Sequence, residues 1–209
     1  MLPFVPTSAE ITRDLGRIAS DGILLAIAWH VAVVAAVAAL GSGWRPGRRT
    51  AGILLASLSA SVGLVAWLAG NPFNGAVFTA LAAAQVVAAV RQPAGPIDSP
   101  PGWALLAGAA SVLFGLAYPQ FLAGHPLAMY VLAAPVGLIP CPTLAVIIGF
   151  TLIAGGLRGL VWSAVLLAVA TFYALFGAFK LGVLLDLGLL AAVAALGLLL
   201  ISRERAHYR

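Results

Sequence analysis

Charge is scarce in this chain. Of 209 residues only 8% are Asp, Glu, Lys or Arg, against 63% hydrophobic. A soluble domain carries roughly 25% charged residues, because its surface must be wetted. A chain this poor in charge cannot cover such a surface, so lipid must cover it instead, and the class is integral membrane protein. Cysteine is almost absent too. Cys141 stands alone, which excludes an internal disulfide and any cysteine-only metal cluster within one chain. Alternating apolar and polar runs, the mark of barrel strands, are also missing. Leu, Ala, Val and Gly instead fill unbroken blocks such as GILLAIAWHVAVVAAVAAL, 22–40. Inside lipid every backbone polar group needs an internal partner, so such blocks read as helices, and the fold class is all-α.

Several chemistries lack their residues. The chain has no Gly-Lys-Ser/Thr phosphate loop, no H-E-x-x-H pair and no G-x-S-x-G elbow. No acid/base pair falls inside an apolar run, so the reading leans away from an enzyme. The last span has no lysine for a retinal Schiff base. The N-terminus lacks a basic region and carries Glu10, Arg13, Asp14, Arg17 and Asp21 before its first apolar run, so that run is expected to remain as a helix rather than act as a signal peptide. The net charge of +5 sits in short loops and at the C-terminal end, where it orients a membrane protein rather than binding nucleic acid.

What is present divides into spans of about 20 apolar residues, the length that crosses a roughly 30 Å hydrocarbon core. Residues 1–21 form an N-terminal interfacial segment, with a short helix over 7–20 that places Ile11, Leu15 and Ile18 on one face. Spans follow at about 22–40, 51–69, 75–90 and 102–118, separated by GSGWRPGRRT, GNPFN and the proline-rich RQPAGPIDSPP. Residues 119–141 are too broken for one helix and read as an irregular or re-entrant segment. A fifth span runs from Cys141 or Pro142 to 156, a sixth over 160–178 and a seventh over 182–202, with 203–209 as a polar tail. The expectation is one domain, 1–209, with seven transmembrane helices in a bacterial cytoplasmic (inner) membrane. Loops on one side would hold Arg45, Arg48, Arg49, Arg91, Arg158, Arg203, Arg205 and Arg209, and the other side only Arg13, Arg17 and Lys180. Eight against three puts the N-terminus outside and the C-terminus in the cytoplasm. Small residues four apart (Ser57 and Ser61, Ala104 and Gly108, Ser111 and Gly115, Ala164 and Ala168) read as helix-packing contacts.

The stretch PVGLIPCPTLAVIIG, 135–149, carries three prolines beside an apolar run. Proline suits a first helical turn, where its missing N–H would have had no partner. Cys141 then reads as the cap and Pro142 as the first residue. A helix start within the membrane presents free N–H groups and partial positive charge, which favour an anion or a thiolate. The plainer reading is an ordinary proline-started helix with a small apolar cysteine. His30 lies roughly 12 Å into the first span at 1.5 Å per residue, and an ionisable group at that depth is a functional candidate. Its alternative is a neutral imidazole bonded to a neighbouring helix. Gln85 reads as interhelical glue, Asp186 as the cap of the seventh helix and Lys180 as its turn neighbour. His30, His125, Met129 and Cys141 are the ligand types that suit soft or borderline metals, although no spacing joins them into a site and the cofactor is left unknown.

GLIPCPT, 137–143, resembles a stretch of bacterial nickel/cobalt exporters, without their His/Asp-rich first helix. AYPQFLAGHPL, GLIPCPTLAVIIGFTLIAGG and LGVLLDLGLLAA, in that order over 117–192, resemble a family of polytopic bacterial membrane proteins known only as a domain of unknown function. That resemblance implies a Tyr-Pro turn, a P-C-P-T helix start and a last span opened by an aspartate, and brings no activity. The leading expectation is a transport-type protein for a small solute or metal ion, with His30, Cys141 and Thr143 binding at the broken helix start. The alternative is a non-transporting subunit, sensor or anchor. A haem or quinone protein would need paired histidines, of which only His30 is placed. The partners expected are the lipid bilayer, a small-molecule or ion ligand, and a second copy in a homo-oligomer.

Overall fold

The structure is a computed structural model that describes residues 7–121, 126–157 and 159–207. Helices are α1 Ser8–Asp21, α2 Ile23–Gly41, α3 Arg48–Leu68, α4 Pro72–Val90, α5 Gly102–Leu116, α6 Leu127–Leu132, α7 Pro140–Ile153, α8 Leu160–Leu175 and α9 Asp186–His207, with a π-helical turn Phe176–Lys180 continuing α8. The all-α expectation holds among the described residues. Five helices are long and apolar enough to cross a membrane: α2, α3, α4, α8 with its π turn, and α9. Two shorter apolar helices, α5 and α7, have 15 and 14 residues.

Helix α1 forms for the reason its sequence gives. Thr7 caps α1 by accepting from the Glu10 N–H, while the Glu10 carboxylate accepts from the Thr7 N–H at 2.7 Å. The Thr7 N–H, and after it the Thr7 hydroxyl, which also donates to the carboxylate at 2.7 Å, hold the Glu10 carboxyl below its ordinary pKa. Leu15 and Ile18 are buried beneath it, and Ile11 packs at their edge.

The α3–α4 pair is a tight antiparallel hairpin. Asn71 accepts from the Asn74 N–H and Pro72 opens α4, so the turn needs only three residues, 69–71. At its middle Ser59 donates to Gln85 Oε1 at 2.6 Å, the interhelical bond expected of Gln85. The α5–α7 pair is also antiparallel and closer still. A Cβ at Gly108 would meet the Gly149 carbonyl, and one at Gly149 would meet the Gly108 carbonyl, each at 2.7 Å. Of the small-residue pairs, Ala104 with Gly108 and Ser111 with Gly115 face this contact, and Ser61 accepts from Trp29 at 2.9 Å. Ala164 and Ala168 do not pack; both are exposed on the outer face of α8.

Helix α7 is the axis of the molecule. Every residue from Pro140 to Leu152 is buried, as expected of a helix apolar all round, with α3, α5, α8 and α9 packed about it. At one end of the bundle Asp98 accepts from Arg48 at 2.7 Å and lies 3.5 Å from Arg203, joining three segments far apart in the chain. The opposite end gathers the close of α5, the start of α7, the π turn and the start of α9.

Several boundaries differ from expectation: α3 starts at Arg48 rather than 51 and α4 at Pro72 rather than 75, and two further starts carry a tertiary cause. Helix α7 starts at Pro140, with Ile139 as its extended cap (φ −117°, ψ 143°), rather than at Pro142 after a Cys141 cap. Both prolines therefore sit in the first turn, where neither N–H would have had a partner. Cys141 is helical despite the proline after it. The last helix starts at Asp186 rather than 182, because Gly182 takes φ +73° and the Asp186 N–H closes a turn onto Val183.

Candidate functional site

The break before α7 is held from within. Residues 133–139 are buried, so their backbone groups cannot rely on solvent. Ile139 donates to the Pro135 carbonyl at 3.0 Å, and Gly137, at φ +77°, turns the chain under Trp29. The Gly137 N–H donates to Thr143 Oγ1 at 2.8 Å, and that hydroxyl donates to the Ile139 carbonyl at 2.7 Å. Thr143 thus fastens the break to the helix that follows it, and its hydroxyl is engaged on both sides.

One turn away the chain assembles a polar cluster from three helix ends. Asp186, 1% exposed, accepts from the Tyr118 hydroxyl at 2.6 Å through Oδ1 and from the Cys141 thiol at 3.3 Å through Oδ2. Tyr118 arrives because the antiparallel α5–α7 packing brings the end of α5 to the start of α7. Asp186 arrives because Gly177 lies in the π turn: a Cβ there would collide with the carboxylate. Single π turns inside or at the end of α-helices are often found at functional sites. Phe114 meets Tyr118 edge-on at 5.6 Å and Phe121 stacks on its other side at 6.3 Å.

No cation pairs with Asp186 among the described residues. Lys180, six positions earlier, contributes its carbonyl to Ser8 Oγ instead. Burying a carboxylate is costly unless it is paired and hydrogen-bonded, and here its partners are one hydroxyl and one thiol. Phe121 has φ +73°, a region that costs a bulky residue of order 1–3 kcal/mol. Phe121 also lines an open cleft of about 860 Å³ beside α1, along with Ser8, Thr12, Arg13, Gly16 and Gln120. The same residue thus contacts both the cleft and the Tyr118 ring.

The expected ligand residues are distributed as follows. Cys141 is in the cluster. His30 is buried on α2, with Nε2 3.0 Å from the Leu116 carbonyl and Nδ1 3.3 Å from the Ala26 carbonyl. It serves the open C-terminal end of α5, and no contact joins it to Cys141 or Thr143. Met129, on α6, packs at the edge of the apolar core. His125 lies outside the described residues. Among the described residues no group of three or more His, Cys, Asp or Glu could hold a metal ion.

Sequence reasoning placed Asp186 as a cap and Tyr118 in a turn, and missed that they meet. One signal was there. Asp186 is the only acid between Asp98 and Glu204, a stretch otherwise made of apolar runs and short turns. No protein family, no curated protein and no solved structure is similar enough to this chain to count as a match. The motif likenesses at 117–156 and 181–192 therefore rest on those residues alone.

Proposed function

We propose that this chain is a transport-type protein of a bacterial cytoplasmic membrane, moving a small solute or ion, with Asp186 as the group whose charge changes during turnover. The carrying observation is the buried Asp186 carboxylate, bonded to Tyr118 and Cys141 and paired with no cation among the described residues. At membrane depth such a group is neutralised by a proton or by a bound cation, which is how intramembrane carboxylates come to mark ion and proton pathways. Cys141 and Tyr118 are the donors that hold the carboxylate when the proton is gone. Entry would be from the cleft beside α1, past Phe121, and the cluster is occluded in this conformation. Metal-ion cargo would use the Cys141 sulfur and Asp186 oxygens and draw its remaining ligands from the solute or from residues that move.

The same reading takes seven spans. At 1.5 Å per residue α5 and α7 reach about 22 and 21 Å, and the flanking segments 117–121 and 133–139 supply the rest of the depth. The arginine-rich end built around Asp98 would face the cytoplasm and α1 the outside.

A specific observation favours a second reading. Helix α7 is packed on every side, and neither Cys141 nor Asp186 lines the cleft beside α1 or the groove beside α2, as suits a rigid membrane subunit whose buried cluster only fixes helix ends.

The two readings part on one measurement. Infrared difference spectra of the purified protein between two pH values report the carbonyl stretch of a carboxylic acid that gains or loses its proton. The transport reading expects such a band in the wild type and its loss in Asp186→Asn. A wild-type spectrum with no titrating buried carboxyl overturns it and leaves the subunit reading.

A further inference from the structure

Helix α2 stands off from the bundle. Only 17% of its apolar window is buried, against 50% for α3, although both are of membrane-crossing length. Its outer third is pinned by Trp29 Nε1 on Ser61 at 2.9 Å and by His30 on the Leu116 carbonyl. Its inner end is pinned by the following loop, where Arg45 donates to the Leu40 carbonyl at 3.0 Å and Ile97 donates to Pro46 at 3.0 Å. Between those two fastenings lies a groove of about 160 Å³, walled by Val33, Ala36, Leu40, Leu55 and Leu58, with Phe150 of the central helix on its floor.

We infer that this groove seats one acyl chain of an anionic phospholipid whose headgroup lies on Arg45. Three features select that occupant. From Trp29 to Leu40 the groove spans eleven residues, about 16 Å at 1.5 Å per residue, roughly the depth of one leaflet of a 30 Å core. Its mouth, at Trp44 and Pro46, lies at the arginine-rich end of the bundle, and Trp44 is half exposed there as interfacial tryptophans are. Arg45, between the lining residues Trp44 and Pro46, is exposed and has no acidic partner among the described residues, spending one nitrogen on backbone carbonyls and keeping the rest of its guanidinium free, whereas Arg49 turns to the Gln92 carbonyl at the end of α4. Arg48, between them, is already held by Asp98. An apolar slot ending at a guanidinium group with no acidic partner among the described residues matches a lipid tail ending at a phosphate.

The test is native mass spectrometry of the detergent-purified protein with equal phosphatidylglycerol and phosphatidylcholine. One basic residue near an anionic headgroup is worth about 1 kcal/mol, a factor of about five. The wild type should therefore retain phosphatidylglycerol at least several-fold over phosphatidylcholine. Arg45→Gln should bring the two lipids to near parity, and Arg49→Gln, which removes a guanidinium held by the Gln92 carbonyl, should not. Ala36→Phe, which fills the groove from α2, should lower retention of both. Equal retention by the wild type overturns the headgroup assignment. Unchanged retention in Ala36→Phe overturns the groove, and a dimer-to-monomer shift in that variant with unchanged lipid would identify a second copy as the occupant instead.

Discussion

Tyr118 and Asp186, separated by 68 positions, meet through a 2.6 Å hydrogen bond in the buried end of the bundle. The bond crosses from the close of α5 to the start of α9, and the Cys141 thiol completes it from the start of α7. Three helix ends are therefore fixed by one carboxylate.

Replacing Tyr118 by Phe keeps the ring contacts and removes one of the two donors to Asp186. Hydrogen bonds to charged groups contribute about 1.5–3 kcal/mol, so Tyr118→Phe should lower the unfolding free energy in mixed micelles by about that much. A loss no larger than that of a surface substitution would show that Asp186 does not depend on Tyr118.

Gly177→Ala places a methyl group against the Asp186 carboxylate. The start of α9 must move, and the Cys141 thiol loses its acceptor and its cover. Wild-type Cys141, 8% exposed, should resist a polar maleimide in the folded protein, and the variant should label readily. Equal labelling of the two proteins would mean that the π turn does not set the position of Asp186.

Thr143→Val removes both bonds that fasten the break, leaving the buried Gly137 N–H without an acceptor. An orphaned buried donor costs about 1–3 kcal/mol, which thermal unfolding in detergent would register. Thr143→Ser restores the hydroxyl and should recover most of the loss. If Ser is no better than Val, packing of the threonine methyl rather than its hydroxyl holds the break.

Gly108→Ala adds a Cβ 2.7 Å from a backbone carbonyl of α7. A backbone neighbour cannot swing aside as a side chain can, so the α5–α7 pair must separate at a cost of about 1–3 kcal/mol. Gly41→Ala, where nothing lies within 4 Å, is the control, and comparable melting of the two variants would argue against the close approach.

The Glu10 cap gives a pH dependence with a definite sign. The carboxyl is held below its ordinary value, so its contribution is complete above the unfolded-state value and is lost as pH falls through the folded one. Amide hydrogen exchange in α1 should accelerate at acid pH relative to that in α3. In Glu10→Gln, which can still reach the Thr7 N–H but does not titrate, the relative rates should stay flat with pH.

The helices were legible because their cause is local. Long Leu/Ala/Val runs leave the backbone no partner in lipid but itself, and the turn at 69–71 announces itself with Asn71 and Pro72. The ends were less legible where tertiary contacts choose them. Pro140 and Pro142 could each have begun α7, and burial of 133–139 with the Thr143 fastening selects the earlier. The run around 176–180 carries nothing that distinguishes a π turn from a plain helix, since what requires the turn is a carboxylate arriving from the next helix. His30 could equally have been a ligand or a tether, and the carbonyl its imidazole meets, that of Leu116, is set by the position of the α5 C-terminus.

Composition by itself determined the medium and the secondary structure: too little charge to wet a surface, and apolar runs that must close their own hydrogen bonds. It also determined that the chain breaks before residue 143, because prolines cannot continue a helix inward. Which residues meet at that break was decided only in three dimensions. The meeting of Tyr118, Cys141 and Asp186 depends on how closely glycine-faced helices approach and on which ends that approach brings together, and no spacing along the chain encodes it.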